Sequence, residues 1–229
     1  MTSCAATLGV AHPPGYPLYV LAGRAAVLLL PGNAAYALNV FSALCGAGAL
    51  AVMFLLLCRL FYFLPAFFFC LLFGLNTTFW HVSSVSEMYS LNLLFALILL
   101  YLGLGLLDGY GRRRFYLLSF LYGLFLGNRM DIVLWGPAML LSVLVSMRRS
   151  EAGCVTRMAA ADFLKGAGFF LLGFSIYMYL PLRSLQNPIL DWNHPADFSG
   201  FLGSITRKSY GGTLDLLSKK YSTGGAFPS

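Results

Sequence analysis

The sequence predicts an all-α, polytopic membrane protein: a helical bundle of about six crossings, with a short interfacial helix before it and an outer C-terminal segment after it. Three observations predict it. Hydrophobic residues make up 59% of the chain and charged residues 10%, against about a quarter charged in a soluble domain. Mean hydropathy is +0.77, so a water-facing surface would be largely apolar. The apolar residues also fall in runs of roughly 20, the length that crosses a bilayer as a helix. In such a chain the net charge of +7 sets orientation, and the partner it implies is the lipid bilayer, not nucleic acid. Of the five cysteines, three lie in or at the ends of apolar runs and none has metal-ligand spacing. Neither a disulfide framework, a metal site nor a cofactor is expected.

In chain order, Met1 to Val10 lacks the charged-then-apolar pattern of a signal peptide, and is no first span either. Leu8 to Tyr19, LGVAHPPGYPLY, predicts a stiff loop. Pro13 and Pro14 fix their own backbone and push His12 towards an extended form. Gly15 allows a left-handed step, and Pro17 suits the first turn of a helix, which runs to Leu30. That helix contains Arg24 and is short for a crossing, so it is read as interfacial, ending at Pro31-Gly32-Asn33. Ala34 to Leu57, Leu60 to Trp80 and Met88 to Leu107 each read as a crossing. Phe115 to Met147 is too long for one span and is interrupted at Asn128-Arg129-Met130-Asp131. Phe163 to Leu180 crosses again, and a polar segment follows from Pro181. The organisation expected is an outer loop and interfacial helix over 1–33, a transmembrane bundle over 34–180 and an outer juxtamembrane segment over 181–229. The ending KKYSTGGAFPS has no closing element, which suggests a fragment of a longer chain.

The basic residues predict the sidedness. Arg59, Arg112 to Arg114, Arg148, Arg149, Arg157 and Lys165 lie in alternate connections, whereas the opposite short connections hold only Arg129. The positive-inside rule puts the first set in the cytoplasm. Both ends of the ambiguous segment are then inside, making it a hairpin with its tip at Asn128–Asp131. The non-cytoplasmic face receives His12, His81, His194, Glu87, Arg129, Asp131, Arg183, Asp191, Asp197 and Asp215. Gathering such groups at one face suits an enzyme whose site opens at the outer membrane surface.

Each candidate residue also has a plainer role. Glu87 precedes an apolar run, with Ser84 three residues earlier, so a capping box accounts for it as well as a cavity wall does. Arg129 and Asp131 sit at membrane depth, where ionisable groups either neutralise one another or serve a pathway, and Asn128 adjoins them. Arg183, and likewise Arg207 with Lys208, is either a snorkelling anchor or a fork of donors for a headgroup phosphate. Trp192 and Tyr210 are either interfacial belt aromatics or platforms for a sugar ring. His12 and Tyr16 are carried by the stiff loop, and the plainer role of His12 is that of an ordinary loop residue. Gly105–Gly109 and Gly123–Gly127 have helix-packing spacing, a weak signal in a glycine-rich chain.

AHPPGYPLY, NVFSALCGA, SEMYSLN, and YLPLRSLQNPILDW with ITRKSY together resemble the protein O-mannosyltransferase-like membrane family, within the GT-C superfamily of multi-spanning glycosyltransferases. The resemblance covers most of Leu8 to Tyr210. It implies a GT-C-like fold, a polyprenyl- or dolichyl-phosphate sugar donor, a protein or glycan acceptor, and transfer on the non-cytoplasmic side. It also implies an acidic loop ahead of the HPPGYP motif that carries the catalytic base. Only MTSCAAT precedes Leu8, so that base is expected upstream of Met1 and the chain alone is expected to be inactive. The chemistry implied is displacement at the anomeric carbon: a carboxylate deprotonates the acceptor hydroxyl and cationic side chains stabilise the departing lipid phosphate. Competing readings are a transporter or lipid flippase, suggested by the broken hairpin, and a non-catalytic pseudoenzyme.

Overall fold

The computed structural model describes residues 1–109, 111–149 and 160–208. Their regular structure is helical, with one isolated parallel bridge between Val10 and Asp191. Helices α1 (Thr2–Thr7) and α2 (Pro17–Leu29) precede α3 (Ala34–Leu60). Pro17 occupies the first turn of α2 as expected. Tyr16, at its N-cap, takes a left-handed conformation (φ 46°) directly after Gly15 (φ 91°). The chain thus turns twice before the helix begins, and only the glycine step was legible. Pro31-Gly32-Asn33 ends α2 and restarts the chain, because the Asn33 side chain accepts from the Tyr36 amide at 2.9 Å.

The apolar run from Leu60 to Trp80 is not one straight crossing. It forms α4 (Phe63–Gly74) and α5 (Thr77–Ser84), bent by 64° at the break. The cause is Asn76, whose side chain accepts from the amides of Thr78 (2.9 Å) and Phe79 (3.3 Å), capping a new helix in mid-run. Pro65 causes no break, since it lies in the first turn of α4, where amides lack helical partners.

The chain continues with α6 (Tyr89–Asp108), α7 (Arg112–Leu126), a 3-10 turn (Met130–Trp135) and α8 (Gly136–Arg149). After it come α9 (Ala160–Phe174), a 3-10 turn (Ser175–Met178), α10 (Tyr179–Ser184) and α11 (Phe198–Ile205). Among the described residues, three helices suffice by length and composition to cross a membrane: Ala34–Leu60, Tyr89–Asp108 and Ala161–Ser184; the bent pair makes a fourth if it is one span. This is fewer than the six expected. The difference lies in the bent run and in the 115–147 hairpin. Its helices α7 and α8 are 15 and 14 residues long, and α7 opens with three arginines. Its apolar part is then only roughly 18 Å long at 1.5 Å per residue.

The main core is built by α6, α7, α8 and the 175–180 segment around Leu99, Leu106, Leu118, Phe125, Ile132 and Leu180. Phe95 and Phe125 stack at its centre, with ring centroids 3.7 Å apart. A second cluster joins Tyr16, Tyr19 and Val20 to Cys45, Met88 and Leu91. It fixes the proline-rich loop against α3 and the start of α6.

The two ends of α6 differ in chemistry. At its C-terminus, Asp108 pairs with Arg59 of α3, which also donates to Leu104 O at 2.7 Å. Nearby in the chain, Arg112 pairs with the buried Asp162 of α9 at 3.3 Å, and Tyr116 donates to the same carboxylate. Two of the basic anchors, Arg59 and Arg112, therefore meet acids at this end. The N-terminal end of α6 carries the groups described next.

Candidate functional site

Three segments converge at the N-terminal end of α6: the proline-rich loop, the turn before α6 and the stretch after α10. The first and last are stitched together. Val10 donates to Leu190 O (2.7 Å) and Trp192 to Val10 O (3.2 Å). Tyr179 OH donates to Gly9 O at 3.1 Å. A Cβ on Gly9 would meet the Leu190 carbonyl at 2.8 Å, so only glycine permits this approach.

Between the segments lies a cavity of about 540 Å³, lined among others by Cys4, His12, Glu87, Asp191, Trp192 and Asn193. The His12 ring stands edge-on to Tyr16 (5.1 Å between centroids) and to Trp192 (6.1 Å). Tyr16 OH and His12 Nε2 are 3.3 Å apart. Burial pushes the His12 imidazole below its ordinary value, with Glu87 pulling the other way and Arg207 reinforcing the fall. Burial pushes the Tyr16 hydroxyl up, opposed by the positive charges of Arg129 and Arg207. His12, Tyr16, Glu87, Arg129 and Arg207 thus share one electrostatic neighbourhood.

The expected capping box at Glu87 is not formed. The helix starts two residues later, at Tyr89, and Ser84 Oγ donates instead to Trp80 O at 2.8 Å. Ser84 is the last residue of α5, so its hydroxyl finds the carbonyl one turn back in its own helix. Glu87 is thereby left on the cavity wall.

Asn128, Arg129 and Asp131 form a second polar group against the first turn of α6. Arg129 Nε pairs with Asp131 at 3.0 Å, and its guanidinium lies over the Tyr89 ring, 4.7 Å from the centroid. Asp131 also accepts from Asn92 Nδ2 at 3.2 Å. Asn128 is fully buried and donates to Met88 O (3.3 Å) and Asn92 Oδ1 (3.1 Å). The acid and base do pair, but through Nε alone. The two terminal nitrogens of Arg129 make no hydrogen bond among the described residues. With 27% of its side chain exposed, Arg129 is a braced cation with a donor edge to spare.

Arg183 is placed differently. Nε donates to Leu8 O at 2.6 Å, Nη2 to Thr7 O at 3.2 Å and Nη1 to Gln186 Oε1. Its fork holds the end of α1. Tyr210 lies outside the described residues. Trp192 is more than half exposed, with its indole beside the cavity.

Sequence reasoning did not select Asp191, Ser184 and His194 as a site. Asp191 Oδ2 accepts from Ser184 Oγ (2.8 Å) and lies 2.6 Å from His194 Nδ1. The signal was an acid, an aromatic and a histidine within the four residues DWNH, separated by six residues from the YLPLRS helix. Among the described residues no group of three His, Cys, Asp or Glu side chains is placed to hold a metal ion.

Residues 1–152 match the family described as the Protein O-mannosyl-transferase TMEM260 N-terminal domain. The chain is also similar to Protein O-mannosyl-transferase TMEM260 of Mus musculus, with 28% identity over 218 residues. That alignment covers 92% of this chain and 30% of the mouse protein, so the chain spans less than a third of that relative. No solved structure matches.

Proposed function

From a chain that belongs to the Protein O-mannosyl-transferase TMEM260 N-terminal domain family, we propose a membrane glycosyltransferase that moves a sugar, mannose in the first instance, from a polyprenyl- or dolichyl-phosphate donor to a protein hydroxyl. The observation that carries the reading is the cavity of about 540 Å³ at the end of α6 remote from the paired basic anchors, with Glu87 and Asp191 on its wall and His12 and Trp192 beside them. Carboxylates and an aromatic face suit a sugar. The opposite end, rich in arginine, suits the cytoplasmic leaflet. Transfer therefore takes place on the non-cytoplasmic side.

In this reading Arg129 is the phosphate contact. The reaction breaks the bond from the anomeric carbon to the phosphate oxygen and forms one to the acceptor oxygen, whose proton passes to a carboxylate acting as general base. Negative charge grows on the departing phosphate, and a braced guanidinium with a donor edge to spare stabilises it as it grows. Tyr89 and Asp131 orient Arg129 without using its terminal nitrogens. Glu87 positions the acceptor hydroxyl from the cavity wall.

The test is transfer of radiolabelled mannose from polyprenyl-phosphate mannose to a serine-containing peptide by the protein in liposomes, in the form its gene encodes. Arg129→Ala is expected to lower kcat/KM by about 100-fold, with Arg129→Lys intermediate because a point charge replaces a fork. Unchanged turnover in Arg129→Ala removes Arg129 from the site. Failure of the unaltered protein to transfer sugar from any lipid-phosphate donor removes the transferase reading itself.

A further inference from the structure

Among the described residues, one side of α11 is covered and the other is not. Phe201 and Ile205 pack against the main core, and Ser204 is buried. Phe198 and Leu202, four residues apart and so on one face, stand 77% and 48% exposed. Gly203 lies about a third of a turn round from both. An added Cβ there meets no atom within 4 Å. The chain leading into α11 shows the same pattern: Leu182, Leu185, Ile189 and Trp192 are all exposed. Singly such side chains are ordinary, but a run of them marks a surface that meets something apolar.

Its place in the chain says what that is. The candidate span Ala161–Ser184 includes α10, so Leu182 already belongs to a helix that meets lipid. Leu185 and Ile189 follow it within one or two turns' length of chain, and α11 comes next. The acid at the start of α11 is used as a cap: Asp197 Oδ1 accepts from the Gly200 amide at 2.8 Å. Its far end carries Arg207 and the exposed Lys208, long cations that reach a phosphate layer while their stems lie on apolar surface. Apolar side chains on one open face, with cations at the end, suit a helix lying in a bilayer surface. We propose that α11 is such a helix, with Phe198 and Leu202 seated in the lipid of the leaflet at this end of the bundle. The cavity-lining stretch 189–193 runs between the end of the span and α11, so the membrane holds it on both sides. The mouth of the cavity, with Trp192, is thereby fixed at headgroup level. On the transferase reading above, a lipid-phosphate donor then reaches the cavity from the side without leaving its leaflet.

The test places a genetically encoded dansyl amino acid at position 192, 198, 202 or 203, one at a time, in the protein in the form its gene encodes. Each variant is reconstituted in phosphatidylcholine liposomes containing some phosphatidylcholine with a nitroxide near its glycerol. The dye at 198 and at 202 is expected to lose about half its emission to the nitroxide lipid, as suits a group seated roughly 5–10 Å into the surface. The dye at 203 is expected to lose little to the lipid and to be quenched by iodide added to the water. The dye at 192 is expected to be quenched by both, being at the mouth. If iodide quenches 198 and 202 as it does 203, the face is in water and the proposal is overturned. If neither quencher reaches 198 and 202, another part of the protein covers the face, which overturns it equally. If 198 and 202 respond to the lipid and 192 does not, the placement of the cavity mouth is overturned. The readout needs no sugar transfer, so this proposal and the transferase reading fail separately.

Discussion

Arg183 Nε donates to the Leu8 carbonyl at 2.6 Å, joining residues 175 positions apart in the chain. Together with the bond from Nη2 to Thr7 O, it satisfies carbonyls at the C-terminus of α1 that the helix leaves without partners. It also closes the ring of contacts that keeps the His12 loop against the Asp191 segment. Arg183→Ala is accordingly expected to lower thermal stability in detergent by about 2 kcal/mol, the loss of two hydrogen bonds from a charged donor in a half-buried setting. Arg183→Lys recovers part, because an ammonium cannot serve both carbonyls with the same geometry. A headgroup-phosphate role predicts the reverse: an unchanged melting temperature and a raised KM for the lipid-phosphate donor.

Much of this architecture is legible in local signals, because it depends on them. Pro17 and the Pro31-Gly32-Asn33 stop mark α2 within a residue of where it ends, and the apolar run from Met88 marks α6. The break at Asn128–Asp131 is visible as a polar interruption and becomes a 3-10 turn. The kink at Asn76 is hidden. Its capping bonds depend on the side chain turning back to the backbone, and the flanking hydropathy gives no sign of it. The Arg183 clasp and the Ser184–Asp191–His194 cluster are hidden for a different reason. They depend on which loops meet in space, and periodicity carries no information about that.

His12 offers a pH test. Burial lowers its folded-state pKa below the ordinary value of about 6.5, so the unfolded chain takes up a proton more readily than the native state. Stability from this residue is therefore fully present above the unfolded value. It falls as pH drops from about 6.5 through the lowered native value, and levels off below that. Thermal unfolding followed from pH 7.5 to pH 5 should show a decline that is shallower in His12→Gln. An identical slope in the two proteins indicates that the ring is solvated in the native state.

Gly123 and Gly173 let α7 and α9 approach backbone to backbone. A Cβ on Gly123 would stand 2.2 Å from Phe170 O and 2.9 Å from Phe174 N. One on Gly173 would stand 2.1 Å from Phe120 O and 2.7 Å from Leu124 N. The glycines lie opposite each other, so each helix presents a bare strip to the other's peptide groups. Backbone atoms cannot rotate aside as a side-chain tip can, and one added methyl forces the helices apart. Gly127, one turn along, continues the contact, where a Cβ would meet Ile176 Cγ2 at 2.6 Å. That neighbour is a side-chain methyl, not a peptide group. Gly168, on the same α9, has no atom within 4 Å of an added Cβ. Gly123→Ala and Gly173→Ala are each expected to destabilise by about 3 kcal/mol, at the upper end of overpacking costs, with Gly127→Ala smaller. Gly168→Ala is expected to be neutral or stabilising by a few tenths of a kcal/mol, since alanine favours an open helix position. Unfolding in a detergent series of the four variants checks the order. Because Asp162 on α9 binds Arg112 and Tyr116 on α7, prising the helices apart also weakens that ion pair. The two alanine variants at the close contact should therefore gain little further loss when Asp162→Asn is added, whereas Gly168→Ala should show the full loss. Additive effects in all three combinations indicate that the glycine strip and the ion pair do not act as one contact.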